Sequence, residues 1–176
     1  MKNLAKAIVI PIAIGTLVLG CTSSSFAQAS ATATASAILI TPITIVKNVD
    51  MNFGNVAVSA SIAGTAILSP AGTRSTGGAG GVTLPATTGT VAAASFTVSG
   101  QGSYTYAITL PISATITSGI NNMTVNTFTS SPSATGLLSS GGSQTLTVGA
   151  TLNVASGQVA GTYTNATGVP VTVNYN

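Results

Sequence analysis

Histidine and glutamate are absent from this chain, and past its first thirty residues only Lys47, Asp50 and Arg74 carry charge. The usual groups that abstract protons, ligate metals or clamp phosphates are therefore missing before any fold is considered. No catalytic residue, cofactor site or metal site is read from the sequence, and an enzyme is not expected. One cysteine, Cys21, stands at the edge of an N-terminal leader, so a disulfide framework is excluded too. What remains is Thr, Ser, Ala, Val, Gly and Asn in alternating runs. That is the composition of a secreted β-protein.

Residues 1–27 read as a secretory signal. Lys2 and Lys6 supply a short positive start, followed by the uncharged apolar stretch AIVIPIAIGTLVLG. Two processing readings stand. Ser25-Phe26-Ala27 places small residues where an ordinary signal peptidase needs them, predicting cleavage after Ala27. Alternatively LVLGC resembles a lipobox, which would make Cys21 a lipidated N-terminus. The apolar run is short of the ~20 residues that a membrane-spanning helix requires, so no stable span is expected in the mature chain. Removal of Lys2 and Lys6 leaves two cations against one acid, a formal charge of +1. The pI near 9.4 then reflects the leader and the scarcity of acids. It is no sign of nucleic-acid binding, which needs clustered Lys and Arg.

Residues 28–37, QASATATASA, alternate small apolar and hydroxyl residues and read as a flexible or extended arm ahead of a β-domain spanning 38–176. The first strand is expected from Ile38, with Ile38 and Ile40 on one face. Ile43 and Ile45 share a face after a phase change at Pro42, because proline inside a strand demands an edge or a bulge. MNFGNVAVS carries Phe53, Val56 and Val58 into a second extended segment. The strongest alternations come late. Leu146, Val148, Ala150, Leu152 and Val154 form one series, Val169, Val171, Val173 and Tyr175 another, and Tyr104, Tyr106, Ile108 and Leu110 a third. No window has helical periodicity. The Gly/Ser-rich stretches at 72–81 and 130–143 read as loops with permissive backbones. Roughly seven to ten short strands, each with one apolar face, call for two sheets packed face to face. The expected fold is all-β, an antiparallel Ig-like or Greek-key sandwich behind a cleaved signal helix, with a jelly roll or open barrel as the alternative.

The ordered segments ATATASA before PITI, then FGNVAVSA, LSPAGTR, GGVTLPA, AASFTVSG, TVGATLNV and GTYT before a terminal VTVNYN resemble a family of small secreted bacterial domains. That family is of the type catalogued as domain of unknown function 4402. The resemblance covers nearly all of residues 29–176, and implies export, a β-sandwich and no established activity. A weaker similarity reaches pilin-like and spore-coat-U-like subunits exported by chaperone–usher systems. It rests on Phe53-Gly54 after the first strand, on Gly161 to Tyr163, and on the penultimate Tyr175.

Several residues carry two readings. Tyr104 and Tyr106 lie on one strand face, since side-chain direction repeats every two residues. Outward, they would make a stacking platform for a sugar; inward, they are core. Tyr163 resembles the tyrosine that pins a Greek-key corner by a hydroxyl-to-backbone bond. Lys47 and Asp50 are a ligand or metal contact or, more simply, an exposed pair flanking a turn. Arg74 could read an anion or merely solvate its loop. The sequons at Asn122 and Asn165 carry little weight. The expected function is a non-catalytic, exported surface domain, adhesin-like or assembling by strand addition, with Tyr175 among its contacts. A glycan-binding module is the alternative. Expected partners are other copies or surface proteins, or a glycan, at the periphery of a bacterial cell.

Overall fold

The computed structural model describes residues 28–176. The expected signal helix, Cys21 and the expected cleavage position at Ala27 lie outside the described residues. Gln28 to Ala37 carry neither strand nor helix, and Ile38–Asn176 forms one compact unit.

That unit is all β, and every strand pair in it is antiparallel. Its strands are β1 (Thr44–Val49), β2 (Ala57–Val58), β3 (Gly64–Leu68), β4 (Arg74–Gly77), β5 (Val82–Thr83) and β6 (Ala94–Ser99). They continue with β7 (Thr105–Thr109), β8 (Ser113–Ser118), β9 (Asn121–Ser131), β10 (Thr135–Leu137), β11 (Ser143–Val154) and β12 (Thr172–Tyr175). A seven-stranded sheet holds β1, β6, β11, β3, β4, β9 and β8, and a three-stranded sheet has the order β10-β7-β12. β2 and β5 make a separate two-stranded ribbon. The chain passes between the two larger sheets after β6, β7, β9, β10 and β11, so the architecture is a β-sandwich.

β11 is the spine. Its twelve residues reach about 40 Å at the usual strand rise. Leu146, Val148, Ala150, Leu152 and Val154 are all buried along one face, as the period of two requires. One edge of β11 pairs with β6 over Ser143 to Val148 and with β3 over Ala150 to Val154. The other edge pairs with β9 over Thr147 to Asn153, with a register shift between Gly149 and Thr151. Gly149 lies where β3 leaves and β6 begins. A Cβ there would meet the Leu68 carbonyl oxygen and the backbone of Ser69 and Pro70.

The buried residues form two clusters along this strand. The first joins Ala94, Val98, Leu146 and Val148 of the large sheet to Tyr106, Leu138 and Val173 opposite. The second joins Ala66, Val125, Ala150, Leu152 and Val154 to Val82 of the ribbon, with Phe53, Val56, Val58 and Leu84 packed against it.

Three segments differ from the sequence expectation. No strand begins at Ile38: regular pairing starts at Thr44, and Ile38 and Leu39 are each 92% exposed. Pro42 explains this, since it lacks a ladder donor and sits just ahead of the pairing. The two stretches read as loops each contain a short strand, β4 and β10. Both are edge strands, held by main-chain bonds to one neighbour, and such strands need no apolar alternation.

Candidate functional site

The tyrosine face of β7 turns inward. Tyr106 is fully covered, and its hydroxyl donates to Gln144 Oε1 at 2.8 Å. The same oxygen accepts the Leu137 amide at 2.9 Å, so Gln144 ties β7 and β10 to the large sheet. Burial pushes the Tyr106 hydroxyl pKa above its ordinary value, because the apolar surroundings disfavour a phenolate. Tyr104 precedes the strand at the rim and is 45% exposed. Its ring meets Tyr175 edge-on, with centroids 5.9 Å apart. Tyr175 is itself a clasp: its hydroxyl accepts the Gln101 amide at 2.6 Å and donates to the Thr41 carbonyl at 2.7 Å. Tyr104 and Tyr106 therefore do not make an outward stacking platform.

Tyr163 follows β11 in a long connection. Its hydroxyl donates to the Val159 carbonyl at 2.7 Å and accepts from Gln158 Nε2 at 2.9 Å. Gln158 Nε2 also donates to the Asn122 carbonyl. Thr117 and Thr164 bridge nearby, and a side chain at Gly161 would press on Ser118 Oγ. The group fastens the 158–164 connection to the β8–β9 hairpin, and its polar atoms are spent on that. Lys47 and Asp50 form an exposed ion pair at 2.6 Å. Among the described residues no group of three or more His, Cys, Asp or Glu could hold a metal.

The arrangement around Arg74 is of a different kind. Asn52 bridges Ala92, and the Asn55 amide donates to the Thr88 carbonyl at 2.7 Å, so residues 52–55 lie along 87–92. Gly54 has φ +66°, and its amide donates to Asn52 Oδ1 at 2.8 Å. A Cβ at Gly54 would meet the Thr88 carbonyl and Val91, with Arg74 Nη1 close by. Glycine is needed both for the left-handed backbone and for the close approach. Arg74 starts β4 and does not solvate a loop. Its Nη1 donates to the Phe53 carbonyl at 2.7 Å and to the Asn55 carbonyl at 2.8 Å. The guanidinium also lines an open cavity of about 400 Å³ with Gly72, Leu84, Pro85, Thr88 and Val91. A second hollow of about 370 Å³, bounded by Gly64, Thr65, Gly78 and Asn153 among others, contains no charged group.

Sequence reasoning located Phe53, Gly54, Tyr163 and Tyr175 but missed Gln144 and the clamp made by Arg74. Gln144 gives no signal, being one polar residue in a polar-apolar alternation. Arg74 did carry one, as the single arginine of a nearly charge-free chain.

No curated protein and no solved structure matches the chain significantly. A family model does, over residues 43–175. That span runs from the residue before β1 to the last residue of β12, covering the whole sandwich. The chain belongs to the family described as domain of unknown function (DUF4402).

Proposed function

We propose that this chain is an exported, non-catalytic structural or adhesin-like domain of the bacterial surface, which associates through its free strand edges. The observation that carries this reading is the state of those edges. β1, β4 and β8 end the large sheet, and β10 and β12 end the small one. Soluble β-proteins guard such edges with charged side chains, Lys above all, with inward charge, proline or bulges, or by covering them with a loop. Here β1 is guarded in part by a register shift between Lys47 and Val49, and its Lys47 is paired with Asp50; β4 carries Arg74, which is folded back onto two carbonyls. The remaining three edge strands have no charged residue, although the Thr117–Thr164 bridge covers part of the β8 edge. Export is supported by the charged and apolar leader ending in Ser25-Phe26-Ala27.

The same reading gives the N-terminal segment a role. Ile38 and Leu39 are large, exposed aliphatics, better suited to a partner's hollow than the Ala and Thr before them. An extended segment that adds to an edge gains main-chain hydrogen bonds, while alternate side chains supply specificity.

The test compares a chain starting at Gln28 with one starting at Thr41 by sedimentation and electron microscopy. The longer chain should form concentration-dependent oligomers and the shorter should stay monomeric. Lysines at Thr172 and Asn174, both exposed on β12, should reduce association without lowering the unfolding midpoint. Monomers in every case would sink the proposal.

A further inference from the structure

We propose that the Arg74 cavity is a binding site for a small carboxylate-bearing ligand of the uronic-acid class. It stands apart from strand-edge association and from the tyrosine face. Three observations carry it.

The first is the unused half of the guanidinium. Both carbonyl bonds come from Nη1, and among the described residues Nε and Nη2 make no hydrogen bond to the protein. Those two nitrogens form the planar side edge that takes a carboxylate in two parallel bonds. The carbonyls of Phe53 and Asn55 hold the plane in place, so little side-chain freedom remains to be lost when an anion binds.

Charge is the second observation. The one acidic side chain among the described residues, Asp50, is held by Lys47 at 2.6 Å. Arg74 is thus the only cation there without a carboxylate partner, and it lies on the wall of an open hollow.

The third is the rest of the wall. Leu84, Pro85 and Val91 give an aliphatic surface, and Thr88 gives a hydroxyl that donates to the Gly89 carbonyl, leaving its oxygen free to accept. A cavity of about 400 Å³ falls in the range of small-molecule sites, which pair an apolar lining with a few placed polar groups. A hexuronate matches each part. Its carboxylate meets the arginine edge, its C–H face the aliphatic wall, and a ring hydroxyl the threonine.

The experiment titrates the isotopically labelled chain starting at Gln28 with galacturonate and, in parallel, with galactose. Galacturonate should shift the amide signals of Gly72, Thr88 and Val91 saturably, and galactose should not. Thr88→Glu puts a carboxylate in the cavity while leaving both Arg74 bonds intact. It should abolish the response with an unchanged unfolding midpoint. Arg74→Lys, which keeps the charge without the fork, should weaken binding roughly tenfold. The proposal falls if galactose shifts the same amides equally, if galacturonate leaves them unmoved, or if Thr88→Glu responds like the parent. A stronger response to an amidated N-acetylglutamate than to galacturonate would hand the cavity to an acidic protein partner and overturn the sugar assignment.

Discussion

The two halves of β11 bury similar side chains under unlike roofs. Leu146 and Val148 lie beneath the β10-β7-β12 sheet and its flank, which contribute Tyr106, Leu138 and Val173, all buried. Ala150, Leu152 and Val154 lie beneath the two-residue strands β2 and β5 and the segments beside them. That roof contributes one buried apolar side chain, Val82; Phe53, Val56, Val58 and Leu84 are only half-buried. The first roof is held by strand ladders, joined by the bonds of Tyr106 and Tyr175. The second relies on side chains reaching backbone: Arg74 to Phe53 and Asn55, and Asn55 Nδ2 to the Thr87 carbonyl. Alternation along a strand selects its buried face, but the stability of what covers that face depends on the length of the covering ladder. Regions with few buried contacts open locally at lower free energy, so the second half should open first.

The largest effect should come from truncating the spine itself. Leu146→Ala is expected to cost about 2–5 kcal/mol in urea unfolding, with Leu152→Ala nearer the low end of that range, because a loosely roofed site collapses more readily around a lost side chain. Equal costs, or the reverse order, would break the comparison. Amide exchange gives the same contrast without mutation, with β2 and β5 exchanging faster than β7 and β12.

Gly149→Ala addresses the seam between the halves. Its new Cβ would press on the backbone of Leu68 to Pro70, which cannot rotate away as a side chain would. The expected cost is about 1–3 kcal/mol, as for other overpacked sites. A neutral result would show that β3 and β6 are less tightly abutted at this point.

A smaller effect sharpens the first roof. Tyr106→Phe should cost about 0.5–1.5 kcal/mol by removing one hydrogen bond, since Gln144 keeps its Leu137 partner. The pH dependence follows from burial. Tyr106 has a raised pKa in the folded state, so the unfolded chain loses this proton first as pH rises past the ordinary tyrosine value of about 10. Above that point the unfolded state binds fewer protons, and stability falls with pH. Below it the contribution is fully present. Urea midpoints measured across this alkaline window should decline less steeply in Tyr106→Phe than in the parent. Parallel declines would remove Tyr106 as a source of the pH dependence.

The smallest effect is expected at the exposed ion pair. Lys47→Ala should cost less than about 1 kcal/mol, as exposed pairs do, and less still at high salt. A larger loss would mean that β1 depends on this pair for its place beside β6.

Much of the sandwich was legible because a buried strand face writes itself as a period of two. The series from Leu146 to Val154 faces inward as read, as does Val173. β4 and β10 were not legible. RSTG and TGL carry no apolar alternation, because an edge strand is fixed by hydrogen bonds that any residue but proline can make. The Phe53-Gly54 turn could be marked from its residues. Its dependence on Arg74, 21 positions away, could not.

The sequence by itself determined the class of the protein. It is an all-β chain with one apolar face per long strand and almost no ionisable chemistry, because composition and short-range alternation are local properties. Tertiary structure alone decided how that face is divided between two roofs, where Tyr106 finds Gln144, and that Arg74 turns back onto the backbone with one edge left over. These are meetings between segments far apart in the chain, set by strand order and register, and no local pattern encodes which distant carbonyl or hydroxyl will lie within hydrogen-bond reach.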